Sequence, residues 1–139
     1  MPKEIEMRLK NLENELPEES SPAGAYANAV IVNGLMFVAG KGPTGGPKGK
    51  LGDAYTTEQG YEFARQTGIE SLAVLKSELG SLDRVKRVVK LQGVVNATPE
   101  FEAHHKVLDG CSDLMVDVFG ERGSHARSVF GAVSVRDHL

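Results

Sequence analysis

Apolar residues recur along this chain at two different periods, and the switches between them mark out the elements. In residues 3–16, Ile5, Leu9, Leu12 and Leu16 stand at steps of four, three and four, which puts one apolar stripe on a charged helix. Pro17 cannot continue it, and Glu18-Glu19-Ser20-Ser21-Pro22 reads as a linker. Residues 1–21 are therefore predicted to be an accessory helix and linker ahead of a domain spanning 22–139. Two strand-like runs follow, 25–32 and 35–39, joined by Asn33-Gly34. That dipeptide suits the positive backbone angles of a two-residue hairpin turn. Residues 40–53 hold six glycines, two prolines and three lysines, the composition of a long loop.

Helical spacing returns after Thr56, where Gln59 completes a capping box. Tyr61, Ala64, Gly68, Leu72, Leu75 and Leu79 recur at threes and fours until Gly80 supplies a stop. The valine-rich run 85–95 predicts a long strand, and its nearly continuous apolar middle predicts burial on both faces. Thr98-Pro99 is expected to open a second helix, with Phe101, His104, Leu108, Cys111, Met115 and Val118 on one face and Gly120 at its end. Residues 126–135 form the last expected strand. The order is helix, ββαβ, then αβ, an α+β chain whose mixed sheet carries both helices on one face. The opposite sheet face needs a cover, and a second copy of the chain is the expected one.

Bulk properties narrow the classes. A chain of 139 residues is one ordinary domain, and its net charge of -3 gives no general pull toward nucleic acid or an acidic membrane. The first residues are too charged for a secretory signal, and no apolar run approaches the length of a membrane span. One cysteine, Cys111, allows no internal disulfide and suits a reducing compartment, so the cytoplasm is the expected location. Gly40, Gly42 and Gly45 match a dinucleotide fingerprint formally, but Pro43 and the glycines after it leave no helix to receive a pyrophosphate. The P-loop pattern fails as well, because Gly49-Lys50 is followed by Leu51. No cofactor is expected.

The candidate chemistry centres on Arg127 in Gly123-Ser124-His125-Ala126-Arg127-Ser128-Val129. A guanidinium at the mouth of a strand, beside only the small Ala126 and Ser128, can grip a planar anion with two parallel hydrogen bonds. Taken alone, the residue reads as a surface arginine paired with an acidic neighbour. His105 is a general acid/base candidate because free imidazole titrates near neutrality, with a solvated helix histidine as the plainer reading. His104 and Cys111 lie on the apolar stripe and read as packing. No metal site is expected from His104, His105, Asp109 and His125, since no HxxxH or CxxC spacing is present. Arg84, Lys86, Arg87 and Lys90 form a basic run without interleaved aromatics, which reads as a solvated strand edge before an RNA surface.

Several stretches together resemble one family. They are Pro22-Ala23-Gly24-Ala25-Tyr26, Phe37-Val38-Ala39-Gly40-Lys41-Gly42-Pro43, and Gly80 through Leu91. To these are added Gly110-x-Ser112-Asp113-Leu114-x-Val116, Phe119-Gly120-Glu121 and His125-Ala126-Arg127-Ser128. The family is that of the reactive-intermediate deaminases (RidA, YjgF, or endoribonuclease L-PSP), in its endoribonuclease/chorismate-mutase-like branch. The resemblance implies a chorismate-mutase-like fold, a homotrimer whose sheets form a central barrel, and clefts between subunits that bind small acids. It places Arg127 on the substrate carboxylate, Tyr26 on the cleft wall and Gly40 on the loop after the second strand. Lys41 stands where glutamine is usual and gains an anion-binding reading there; Ala39 replaces a serine. His105 takes a position usual for asparagine. With Ala126 beside the arginine, these residues form the expected substrate site, and Arg127 and His105 the expected catalytic pair. The family continues into a closing strand whose glutamate is thought to activate water, whereas this sequence stops at Arg136-Asp137-His138-Leu139, so that strand is expected to be absent.

The expected activity is binding of a small carboxylate metabolite and hydrolysis of its imine or enamine to a 2-oxo acid and ammonia. Such a reaction needs a fixed carboxylate, a positioned water and a proton donor for the leaving ammonia. A non-catalytic small-acid binder and an RNA-acting protein are the alternatives. Chorismate mutase activity would be an analogy of fold alone.

Overall fold

A computed structural model of the chain describes residues 7, 10–12, 15–43 and 45–136. Of the predicted N-terminal helix, residues 7, 10–12 and 15 are helical, and Leu12 and Leu16 pack on the larger core cluster; the rest lies outside the described residues.

The hairpin forms where Asn33-Gly34 requires it. Strands β1 (Ala29–Val32) and β2 (Leu35–Val38) pair antiparallel in the register Val32↔Leu35 to Ala29↔Val38. Asn33 and Gly34 take φ of 50° and 79°, the two positive angles of a tight hairpin turn. The first strand starts at Ala29 and not at residue 25, because Tyr26 N–H turns back to the Gly24 carbonyl. Asn28 then spends its side-chain amide on Glu19 and the Ser20 carbonyl.

Helix α1 (Thr57–Leu79) opens on the predicted capping box and ends at Gly80, whose φ of 80° is left-handed. Strand β3 (Lys90–Asn96), helix α2 (His104–Phe119) and strand β4 (Ala126–Ala132) complete the core. β3 and β4 are parallel neighbours, with Leu91↔Arg127, Gly93↔Val129 and Val95↔Gly131 on the side that meets α2. α2 lies on that face and α1 packs against α2. Leu72, Leu82, Leu108, Cys111, Leu114, Met115, Val118 and Phe119 make the main core; Leu51, Val95, Ala97 and Val107 make a smaller one.

Four expectations change. Residues 85–89 are extended but outside the strand. The Val85 N–H closes a 3-10 turn (Leu82–Arg84), its carbonyl accepts from the Arg122 guanidinium, and the Val88 N–H goes to the Arg122 carbonyl. β3 is buried on one face only within the chain, since Lys90, Gln92 and Val94 are exposed. α2 begins at His104 and not at Thr98, because the Thr98 N–H is taken by the Leu51 carbonyl and Phe101 N–H turns back to Thr98. β4 ends at Ala132, short of the predicted 135. The α+β class with both helices on one side is as expected, although the described strands form two two-stranded ladders, one antiparallel and one parallel. Asp137 to Leu139 lie outside the described residues. Val30, Ile31, Leu35, Phe37, Val94 and Phe130 are about half exposed.

Candidate functional site

β4 runs opposite to α2, and this brings strand residues of one parity under successive turns of the helix. His125 meets Ser112, Arg127 meets Asp109, and Gly131 lies so close under His104 that a side chain there would collide with the imidazole. His105, Asp109 and Ser112 stand at steps of four and three, so they share one face of α2. Arg127 is drawn onto that face. Its Nη1 donates to Asp109 Oδ1 at 2.9 Å and to Ser112 Oγ at 3.1 Å, and its Nη2 to the His105 carbonyl at 3.3 Å. The ordinary pairing with an acidic neighbour is therefore present. It is not exclusive: among the described residues Nε has no partner, and one Nη2 hydrogen is also left over. Nε and Nη2 together form the side edge of a guanidinium, the geometry that takes a carboxylate with two hydrogen bonds. The side chain is 27% exposed and that of Asp109 is 43% exposed, so this ion pair is a partly solvated one of modest strength.

Behind Arg127 the polar contacts continue. Ser112 Oγ lies 2.9 Å from His125 Nε2, and His125 Nδ1 lies 2.6 Å from the Gly123 carbonyl oxygen. Gly123 is buried where a Cβ would overlap the Met115 carbonyl, so only glycine lets this corner sit against α2. Asp109 also lines a groove of about 380 Å³ with Thr57, Glu58, Tyr61, Glu62 and Lys106, between the first turns of α1 and α2.

The remaining predicted residues fall elsewhere. The His105 ring is exposed, and only its backbone carbonyl touches Arg127. Ala126 is exposed on the opposite face of β4. Tyr26, Gly40 and Lys41 gather at the open end of the hairpin, away from the Arg127 cluster. There Tyr26 accepts the Ala23 N–H and is half exposed. Lys41 Nζ donates to Asn28 Oδ1 at 2.7 Å and to the Ser20 hydroxyl at 3.0 Å, so it ties the linker to the hairpin. The Ser77 hydroxyl, then the Asn28 amide, with Lys41 beyond them, hold the Glu19 carboxyl below its usual range. His104 is half-buried, edge-on to Phe101. Burial alone pushes the Cys111 thiol up to about 11, which makes it a packing group and a poor nucleophile. Arg84 and Arg87 from the basic run each place one donor on a backbone carbonyl, of Leu79 and Ser124 respectively. Asp109 and Ser112 were not legible as partners of Arg127, nor His125 as the partner of Ser112, although the four-and-three spacing of His105, Asp109 and Ser112 carried part of the signal.

The family model described as "YjgF/chorismate mutase-like, putative endoribonuclease" matches residues 6–136. The chain belongs to this YjgF family. It is 35% identical to a "putative endoribonuclease" of known structure from Shewanella oneidensis MR-1, over 97% of this chain and 93% of that one, with a TM-score of 0.87. A second solved structure, Atu1372 from Agrobacterium tumefaciens, described as of unknown function, is 33% identical over 96% of this chain and 85% of that one, with a TM-score of 0.83. Among curated proteins, TCP17 of Trypanosoma cruzi is 36% identical over 136 residues, which is 94% of this chain and 85% of TCP17.

Proposed function

We propose that this YjgF-family chain binds a small carboxylate metabolite on Arg127 and hydrolyses its imine or enamine form to a 2-oxo acid and ammonia. The observation that carries this reading is the divided guanidinium: Nη1 is held by Asp109 and Ser112, while Nε and one Nη2 hydrogen remain as donors for a ligand. The exposed His105 ring stands on the same turn of α2 as the carbonyl that touches Arg127. There it serves as proton donor to the departing nitrogen. The chain acts as a homotrimer. Apolar residues on both ladders support that, because a monomer would leave them in water. In the trimer the hairpin end of a neighbouring copy brings Tyr26, Gly40 and Lys41 to the cleft. The proposed site of action is the cytoplasm, a reducing compartment that suits the free thiol of Cys111.

The test is ammonia release from an imine acid generated in situ, followed beside binding of the product-like 2-oxobutanoate. Acceleration over the spontaneous rate by the wild type, and none by Arg127→Ala, supports the deaminase reading. Saturable binding without acceleration supports a non-catalytic binder on the same site. If only RNA binds, with steep salt dependence, the carboxylate reading is wrong.

A further inference from the structure

We propose that Ser112 and His125 are positioning residues that set the plane of the Arg127 guanidinium and so keep its Nε–Nη2 edge available. The proposal rests on the carboxylate reading of Arg127 and adds two residues to it. The direction of the hydrogen bonds follows from what each group can do. A carbonyl oxygen only accepts, so the 2.6 Å contact to Gly123 puts the proton of the neutral ring on His125 Nδ1. Nε2 is then the acceptor, and the Ser112 hydroxyl 2.9 Å away must donate to it. That leaves the oxygen lone pairs of Ser112 facing Arg127 Nη1 at 3.1 Å. The chain runs one way, from Arg127 through Ser112 and His125 to the Gly123 carbonyl. Its far end is fixed to the helix that carries Ser112, because Gly123 packs directly on the backbone at Met115.

Asp109 alone could not hold this orientation. It meets Nη1 through one oxygen, and the other remaining contact, from Nη2 to the His105 carbonyl, is a long one at 3.3 Å, so the plane can still turn about the Asp109 contact. Freed from Ser112, the guanidinium would swing to give Asp109 two hydrogen bonds and would spend on it the donors a ligand needs. The Ser112 contact opposes that swing. A serine so placed is neither nucleophile nor ligand contact; it keeps Arg127 from being satisfied by its own chain.

The experiment uses ¹⁵N-labelled full-length protein at about pH 8, where free imidazole is neutral. In wild type, His125 should show the tautomer with Nδ1 protonated, and Arg127 should give separate Nη resonances from slowed rotation. Ser112→Ala, a change that helices accept, should merge the Nη resonances and shift Nε, and Ser112→Thr should restore the wild-type pattern by returning the hydroxyl. Calorimetry should show Ser112→Ala binding 2-oxobutanoate about tenfold more weakly, the effect of one hydrogen bond to a charged group. An Nε2-protonated His125 in wild type overturns the proposal. So does a folded Ser112→Ala protein whose Arg127 resonances match wild type. If wild type itself fails to bind 2-oxobutanoate, the carboxylate reading falls, and the tautomer and rotation signals still decide whether Ser112 and His125 fix Arg127.

Discussion

Gly110→Ala tests the packing that places the site. Gly110 lies where α2 crosses α1. A methyl group there would overlap the Tyr61 carbonyl oxygen and come within 2.9 Å of the Tyr61 carbonyl carbon and 3.1 Å of Arg65 N. All three atoms are backbone, so no rotamer change relieves the overlap and the helices must part. The row of buried side chains on α2, from Val107 through Phe119, would then lose contact along its length. A gap of about 0.5–1 Å forfeits a quarter to a half of each dispersion contact. Overpacking costs about 1–3 kcal/mol, with the upper end expected where the obstacle is backbone. Alanine returns about 1 kcal/mol of helix propensity, which leaves a net loss of about 2 kcal/mol. For a domain of this length that lowers Tm by about 7 °C. Thermal unfolding followed by circular dichroism reads it directly. Gly40→Ala is the control, since nothing lies within 4 Å of its added Cβ, and it should melt like wild type. A Gly110→Ala protein that melts at or above the wild-type temperature would refute the close crossing, because propensity alone predicts a rise.

Three further outcomes are expected. Thr56→Ala removes the side-chain half of the capping box, the bond from the Gln59 N–H to the Thr56 hydroxyl, and should cost about 1 kcal/mol of unfolding free energy, while Thr56→Ser should cost little; chemical denaturation compares them. Cys111, buried with its thiol raised to about 11, should stay unlabelled by a thiol reagent in the native protein at neutral pH and react fully after unfolding. Hydrogen bonding to Asp113 raises the Tyr61 phenol above its ordinary value of 10.0. Its stabilising share is therefore fully present below about pH 10 and lost as pH rises through the raised folded value, so wild type should lose its stability advantage over Tyr61→Phe in alkali. Equal alkaline profiles would count against that hydrogen bond.

How much of this was legible in the sequence depended on how local its causes are. Asn33-Gly34 demanded a particular turn, and Thr56 with Gln59 and Gly80 bounded α1 with groups that act within a few residues. The start of α2 was misread because Thr98-Pro99 has the chemistry of a helix opening, yet the Thr98 N–H is taken by the distant Leu51 carbonyl. The valines of residues 85–89 have strand propensity, but Arg122 takes their backbone groups. Arg127 could be picked out by its small neighbours and by family resemblance. Its partners could not, since the contacts to Ser112 and to the His105 carbonyl span 15 and 22 positions and exist only because β4 runs back along α2. The separation of Tyr26, Gly40 and Lys41 from Arg127 within one chain is likewise a property of the fold.

The central claim is that Arg127 anchors a carboxylate through its open edge. It is tested most directly by titrating 2-oxobutanoate into wild type, Arg127→Lys and Arg127→Ala, with circular dichroism and sedimentation confirming that all three share one fold and one assembly state. Losing the partner of a desolvated carboxylate costs about 2–5 kcal/mol, so Arg127→Ala should bind at least about thirtyfold more weakly than wild type. Arg127→Lys should recover only part of the affinity, because an ammonium keeps the charge without the two-pronged edge. An Arg127→Ala protein of unchanged fold that binds as tightly as wild type would contradict the claim, as would one that unfolds because the arginine was holding α2 to β4.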